Sequence, residues 1–243
     1  MNSPLIQFVD VKKSFGTNQV LKGVNLSIYQ GEVMVVIGKS GTGKSVLLRH
    51  IIGLVHQDAG DLLIQGESLQ AMPRKKKIAF QSELSYMFQE NALFDFLTIF
   101  ENIALPLTEN SRDPKPLIAQ KVKKRMEQLA LGDIDHQFPS QLSGGMRKRV
   151  ALARALVTDP KVVLFDEPTT GLDPVRKKNV YKMIKEYQEQ FKFTAVIVSH
   201  DIPDIFEIAQ HIAMLDDGKI IFEGTKDEIL NSHSDILNDF IRA

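Results

Sequence analysis

The stretch Val33-Met34-Val35-Val36-Ile37-Gly38-Lys39-Ser40-Gly41-Thr42-Gly43-Lys44-Ser45-Val46-Leu47 decides the fold. Five consecutive apolar residues that end at a glycine read as a short strand buried on both faces, the kind found in parallel sheets. A helix is expected from about Gly43, carrying Val46, Leu47, His50, Ile51 and Leu54 on its apolar positions. Between strand and helix lies Gly38-x4-Gly43-Lys44-Ser45. Closely spaced glycines let successive backbone N–H groups turn toward one anion, and the helix that follows adds the positive end of its dipole. This is a phosphate-holding loop, Gly38, Lys39, Ser40, Gly41, Thr42, Gly43, Lys44, Ser45 and Val46, in the strand–helix context that the motif requires. Lys44 is placed to reach β and γ phosphates, and the Ser45 hydroxyl to ligate Mg²⁺.

Its acidic complement is Val162-Val163-Leu164-Phe165-Asp166-Glu167. Four apolar residues ending in two acids form a buried strand whose C-terminal edge is where open α/β sheets bind ligands. Asp166 is expected to hold the metal through water, since Mg²⁺ keeps much of its hydration. Glu167 points to the other side and is suited to orient or deprotonate an attacking water.

Outward from these two strands the chain alternates. Helix 143–157, strand 162–165, helix 174–190, strand 195–198 and helix 202–209 form a βα series, followed by short strands at 211–215 and 219–223 around Asp216-Asp217-Gly218. Such alternation predicts a parallel sheet with helices on both faces. The first 30 residues differ: Val24, Leu26 and Ile28 alternate with polar neighbours, and Ile6, Phe8 and Val11 share an apolar stretch, so antiparallel strands are expected. Further strands are read at 61–64 and 84–88. From about 98 to 131 the pattern is helical, broken by Pro106, Pro114 and Pro116. The predicted fold is α/β: a parallel-sheet P-loop core (about 31–88 and 158–243), an N-terminal antiparallel β subdomain (about 1–30, with strands to 65) and a helical subdomain (about 90–157), in one domain.

Bulk composition narrows the function. The 243 residues carry 30 Lys+Arg and 30 Asp+Glu, so no net field draws the chain to nucleic acid or to an anionic membrane. The run Arg74-Lys75-Lys76-Lys77 reads as a solvated helix start. No cysteine is present, which excludes disulfides and Cys-ligated metals and fits a reducing compartment. The N-terminus shows no secretory pattern, and no apolar run approaches the roughly 20 residues of a membrane-spanning helix. His50 and His56 have no second ligand at metal spacing and read as packing or surface residues.

Leu142-Ser143-Gly144-Gly145-Met146 precedes the helix that begins Arg147-Lys148-Arg149. Taken alone, Ser143 is an N-cap before a flexible glycine pair. As chemistry it is a second anion cradle, without a lysine equivalent to Lys44. One nucleotide needs only one cradle, so the second serves a nucleotide held by another copy of the chain.

In order along the chain, Phe15, the phosphate loop, Gln89, Leu142-Ser143-Gly144-Gly145, Asp166-Glu167, Gly171-Leu172-Asp173 and His200 resemble the motifs of the nucleotide-binding subunit of ATP-binding cassette (ABC) transporters, over essentially the whole length. The resemblance implies an ATPase that forms a head-to-tail homodimer around two ATPs. Each ATP would lie between the phosphate loop of one subunit and Ser143, Gly144 and Gly145 of the other. It further implies that Phe15 stacks on adenine where the family often has tyrosine, and that Gln89 touches Mg²⁺ and water. His200 would contact the γ-phosphate and Asp173 would bridge the subunits. The implied catalytic set is Glu167, His200, Lys44 and Gln89, with Ser45, Gln89 and Asp166 at the metal.

Ser40–Arg49, Phe88–Phe94, Glu101–Leu107 and Met146, where most of the family has glutamine, are similar to the ATPases of Mla and Mce-type phospholipid transporters. The short C-terminus agrees. Expected partners are an integral-membrane permease, a Mce-domain lipid-binding protein and small accessory subunits, at the cytoplasmic face of a bacterial inner membrane. The task would be phospholipid movement that maintains outer-membrane asymmetry. An importer of a polar solute such as an amino acid is the alternative. A soluble ABC ATPase of DNA repair or ribosomes would need a long coiled-coil insertion or two cassettes, and a P-loop kinase would leave the second cradle and His200 unexplained. The apolar residues Leu93, Phe94, Phe96, Leu97, Ile99 and Phe100 read either as subdomain core or as a groove for a permease helix. The tail face Ile236, Leu237, Phe240 and Ile241 is expected to pack on the partner subunit.

Overall fold

The computed structural model describes residues 3–87, 92–232 and 234–242. Strands β1 (Ile6–Phe15) and β2 (Asn18–Ile28) pair antiparallel, and β1 also pairs with β4 (Ala59–Ile64), which continues to the short β5 (Glu67–Ser68). This gives a four-stranded sheet in the order β2-β1-β4-β5. In β1 the buried residues are Ile6, Phe8 and Val11, a spacing that breaks period two. A bulge absorbs the extra residue: the register shifts between Phe8 and Val11, and Asp10 takes φ 46°. Val24, Leu26 and Ile28 alternate as expected and are all buried.

The second sheet has the order β10-β9-β3-β8-β7-β6. Its strands are β3 (Val33–Ile37), β6 (Leu84–Met87), β7 (Val162–Asp166), β8 (Thr194–Ser199), β9 (His211–Asp216) and β10 (Lys219–Gly224). All neighbours are parallel except β9 and β10. Both faces of β3 and β8 are fully buried, which is why they read as unbroken apolar runs. On one face Met34, Val36, Leu164 and Val196 pack with helix α1 (Lys44–Ile51) and the N-terminal sheet; on the other, Val35, Phe165 and Ile197 pack with the later helices.

Helices α2 (Arg74–Ser82), α3 (Ile99–Asn110), α4 (Lys115–Gln128), α5 (Gly144–Leu156) and α6 (Pro174–Phe191) follow in order, then α7 (Lys226–Leu230) and α8 (Asp235–Arg242). The basic run Arg74–Lys77 does open a helix. Pro106 lies inside α3 without ending it; the break falls at Pro114, the N-cap of α4, with Pro116 in its first turn, where a missing N–H costs nothing.

Three expectations need correction. Leu54 is not part of α1: the chain turns at Gly53 (φ 78°) and Leu54 is 70% exposed. The stretch 202–209 forms only a 3₁₀ turn at Asp204–Glu207, although Ile202, Ile205, Phe206 and Ala209 follow a helical spacing. Ile205, Phe206 and Ile208 are buried there, and Gln210 N–H donates to the Val33 carbonyl as the chain enters β9, so packing overrides the period. The strand expected at 84–88 is present as β6 over Leu84–Met87, and Phe88 lies outside the described residues. The tail face turns inward: Leu237 is 2% exposed, and Phe240 and Ile241 pack on the core of their own chain, leaving Ile236 outside.

Candidate nucleotide-binding and catalytic site

Strands β3, β7 and β8 deliver their C-terminal ends to one edge of the sheet, and with them the phosphate loop, Asp166-Glu167 and His200. The loop needs its glycines. At Gly38 a Cβ would be driven into the Leu215 carbonyl, and at Gly43 (φ 103°) it would come within 2.8 Å of Val20 Cγ1. Lys44 is 4% exposed and folds back over the loop, its Nζ donating to the carbonyls of Gly38 (2.8 Å) and Lys39 (3.1 Å). It also lies 3.3 Å from Glu167 Oε1.

Glu167 stands just past the end of β7 with φ 51°, a left-handed conformation held by its N–H bond to the Val198 carbonyl (3.0 Å). Its second oxygen, Oε2, accepts from His200 Nδ1 at 2.6 Å. Asp166 accepts from the Ser45 hydroxyl at Oδ1 (2.7 Å) and from the Tyr86 hydroxyl at Oδ2 (2.6 Å). A cleft of about 510 Å³ opens over these groups, lined among others by Phe15, Ser40, Lys44, Glu167 and His200. Phe15, for which the family resemblance implies stacking on adenine, is 48% exposed at its rim with Lys13 Nζ 5.5 Å from the ring centre.

The structure therefore gathers the first cradle, Ser45, Asp166, Glu167, His200 and Phe15 in one place. Ser143, Gly144 and Gly145 are elsewhere, in a separate cleft of about 600 Å³ between α5 and α6. Ser143 caps α5, its Oγ accepting from Met146 N–H at 3.3 Å, and a Cβ added at either glycine would meet nothing within 4 Å. Asp173 caps α6, accepting from Arg176 N–H (3.0 Å), and is exposed. Gln89 lies outside the described residues. Val20, Arg49 and Thr170 also line the first cleft without any local signal in the sequence. Val20 arrives from β2, and the Thr170 hydroxyl is buried with no hydrogen-bond partner among the described residues. Tyr86 is the other addition; a tyrosine in a short, partly buried edge strand gives no hint that its hydroxyl ends on Asp166.

Such a loop, facing an Asp-Glu pair and a histidine across one cleft, defines a P-loop nucleoside triphosphatase. The family model described as ABC transporter matches residues 21–170. The intermembrane phospholipid transport system ATP-binding protein MlaF of Escherichia coli (strain K12) is 37% identical over 221 residues, covering 91% of this chain and 82% of that protein. The sulfate/thiosulfate import ATP-binding protein CysA of Yersinia pseudotuberculosis is 38% identical over 227 residues, covering 92% of this chain and 61% of that one. Among solved structures, a dimer of the ATP-binding cassette MJ0796 in a post-hydrolysis state with ADP and Pi superposes with a TM-score of 0.77 at 29% identity, covering 90% of this chain and 98% of that one. The chain belongs to the ABC transporter family and is an ATP-binding, ATP-hydrolysing subunit.

Proposed function

We propose that this ATPase works as a head-to-tail homodimer that drives an integral-membrane permease moving phospholipid. The observation that carries the dimer is the separation of the two cradles. The lysine-bearing loop and the lysine-free Ser143-Gly144-Gly145 face different clefts, so one chain presents two incomplete halves. Two copies related head to tail would complete both, with Asp173 at the seam, and the dimeric MJ0796 cassette supports that reading.

Within each completed site the residues divide the work. The loop amides and Lys44 bind and orient the β and γ phosphates, and Phe15 offers a ring face to the base. Ser45 and Asp166 are hard oxygen donors 2.7 Å apart, a set that fits Mg²⁺ and leaves the rest of its shell to water and phosphate. Gln89 is assigned to the same ion. When bound, Mg²⁺ neutralises charge developing on the phosphates. Glu167, held by His200 and Lys44, accepts the proton of the attacking water once the incoming phosphate has drawn Lys44 to itself. His200 then faces the γ-phosphate.

Phe94 and Phe96 are exposed on the approach to α3 with ring centres 5.5 Å apart, whereas Ile99 is buried and Leu93 and Phe100 pack on the core. The exposed pair is assigned to the permease contact, an apolar anchor for a helix. No helix among the described residues is long and apolar enough to cross a membrane, so such a partner would supply the membrane-spanning part. The assignment to phospholipid rests on the likeness to MlaF and on Met146 in the second cradle; a Mce-domain protein and small accessory subunits would accompany it, at the cytoplasmic face of an inner membrane. Import of a polar solute is the second reading, favoured by the comparable identity to CysA. Purifying the chain from detergent-solubilised membranes and identifying bound proteins and lipids by mass spectrometry separates the two. A permease with phospholipid supports the first, and a soluble solute receptor without lipid refutes it.

A further inference from the structure

Asp166 has both carboxylate oxygens engaged by hydroxyl donors from different strands and helices. Ser45 Oγ, at the start of α1, donates to Oδ1; Tyr86, on the edge strand β6, donates to Oδ2. The pairing follows from sheet geometry. β6 and β7 run parallel with Tyr86 opposite Leu164, so Tyr86, Leu164 and Asp166 share one face of the sheet by alternation. That face is covered by α1, and Tyr86 packs against the cluster that includes Leu47, Leu48 and Leu164. The ring is thereby fixed by apolar contacts while its hydroxyl reaches the end of the neighbouring strand.

Tyr86 is not among the residues that line the cleft and reaches the site through its bond to Asp166. We propose that Tyr86 is a positioning residue of the metal site, its hydroxyl fixing the Asp166 carboxylate so that the opposite oxygen is held toward Ser45 and the cation. The inference rests on the assignment of Mg²⁺ to Ser45 and Asp166. Ser45 is itself a ligand in that assignment, so its hydroxyl serves the ion as well as the carboxylate. Tyr86 has no such second duty at the ion. A phenol, with an ordinary pKa of about 10, is protonated throughout the neutral range, so its hydroxyl is the donor of this bond. Arg49, on the helix that carries Ser45, interacts with the same phenol. An outer partner of this kind orients its ligand at small entropic cost, because its ring is already immobile.

The test compares the full chain with Tyr86→Phe, which keeps the ring and removes one oxygen. Mn²⁺ serves as the probe, titrated by electron paramagnetic resonance in the presence of a non-hydrolysable ATP analogue. Nucleotide affinity is measured separately in EDTA, and melting temperature reports folding. The expected result is Mn²⁺ bound roughly 10-fold or more weakly, with metal-free nucleotide affinity within about twofold of the parent. Asp166→Asn is run beside it. If Asp166→Asn weakens Mn²⁺ while Tyr86→Phe leaves it unchanged, the positioning role is overturned and the metal assignment stands. If neither variant changes Mn²⁺ binding, the metal assignment fails and the inference falls with it. A Tyr86→Phe chain that loses metal-free nucleotide binding to the same degree also overturns it, since the hydroxyl would then be supporting the loop as a whole.

Discussion

Nδ1 of His200 lies 2.6 Å from Oε2 of Glu167, across the ends of two adjacent parallel strands. With Lys44 on the other oxygen, the carboxylate is held between two basic groups. This arrangement fixes both oxygens of Glu167 at the cleft.

Replacement of Glu167 by glutamine keeps the shape of the side chain but removes its basicity and one of its two acceptor oxygens. Nucleotide binding is expected to survive, while hydrolysis falls by roughly 10²–10⁴, the span usual for a general base. Single-turnover ATP hydrolysis alongside a nucleotide titration measures both, and turnover near that of the parent would exclude the assigned role.

His50 supplies a pH dependence. Its ring is buried, Nδ1 donates to the Val46 carbonyl at 2.7 Å, and Nε2 has no partner among the described residues. Burial lowers its pKa below the ordinary 6.5, with Lys13 and His56 nearby adding to the shift. The folded state thus favours the neutral ring, whereas the unfolded chain takes up a proton near 6.5. The contribution is fully present above that value and is lost as pH falls below it, by up to about 1.4 kcal/mol per pH unit until the folded ring protonates. Urea midpoints between pH 8 and 5 should drop on the acid side, and His50→Leu should flatten that drop. An unchanged slope in the variant would assign the effect to other groups.

The tail stabilises its own subunit. Leu237 is buried in the main core cluster, so Leu237→Ala is expected to cost about 2–5 kcal/mol. Cutting after Asn231 should likewise lower the melting temperature of the isolated chain. If truncation left that temperature unchanged and altered only self-association, the tail would belong to the interface after all.

Phe96 is 76% exposed and touches Phe94. Phe96→Ser is expected to leave nucleotide binding by the isolated chain unchanged, since the residue is not among those lining the cleft, yet to reduce recovery of the chain with solubilised membranes. Equal recovery of parent and variant would place the permease contact elsewhere.

Local chemistry made much of this molecule legible. Runs such as Val33–Ile37 and Val162–Phe165 are apolar because a parallel strand is buried on both faces, and that requirement is written into consecutive residues. The phosphate loop is equally local, since one short segment supplies all its amides. Where the pattern misled, tertiary packing overrode it. Residues 202–209 have helical spacing, but Ile205, Phe206 and Ile208 are each held by the core in a 3₁₀ turn, and the amphipathic tail turned inward onto its own chain.

By itself the sequence determined the parallel-sheet core, the glycine-rich loop between β3 and α1, the acid pair at the end of its strand and the Ser143-Gly144-Gly145 turn before α5, because each depends on side-chain types within a few residues. Only the tertiary structure decided which of these meet. Ser45 and Asp166 are 121 residues apart and touch because the strand order places β7 next to β8 and β8 next to β3. The same order brings His200 onto Glu167 and Tyr86 onto Asp166, and leaves Ser143 in a cleft of its own. Strand order is set by how helices and sheets bury their apolar faces together, a property of the whole chain that no local window contains.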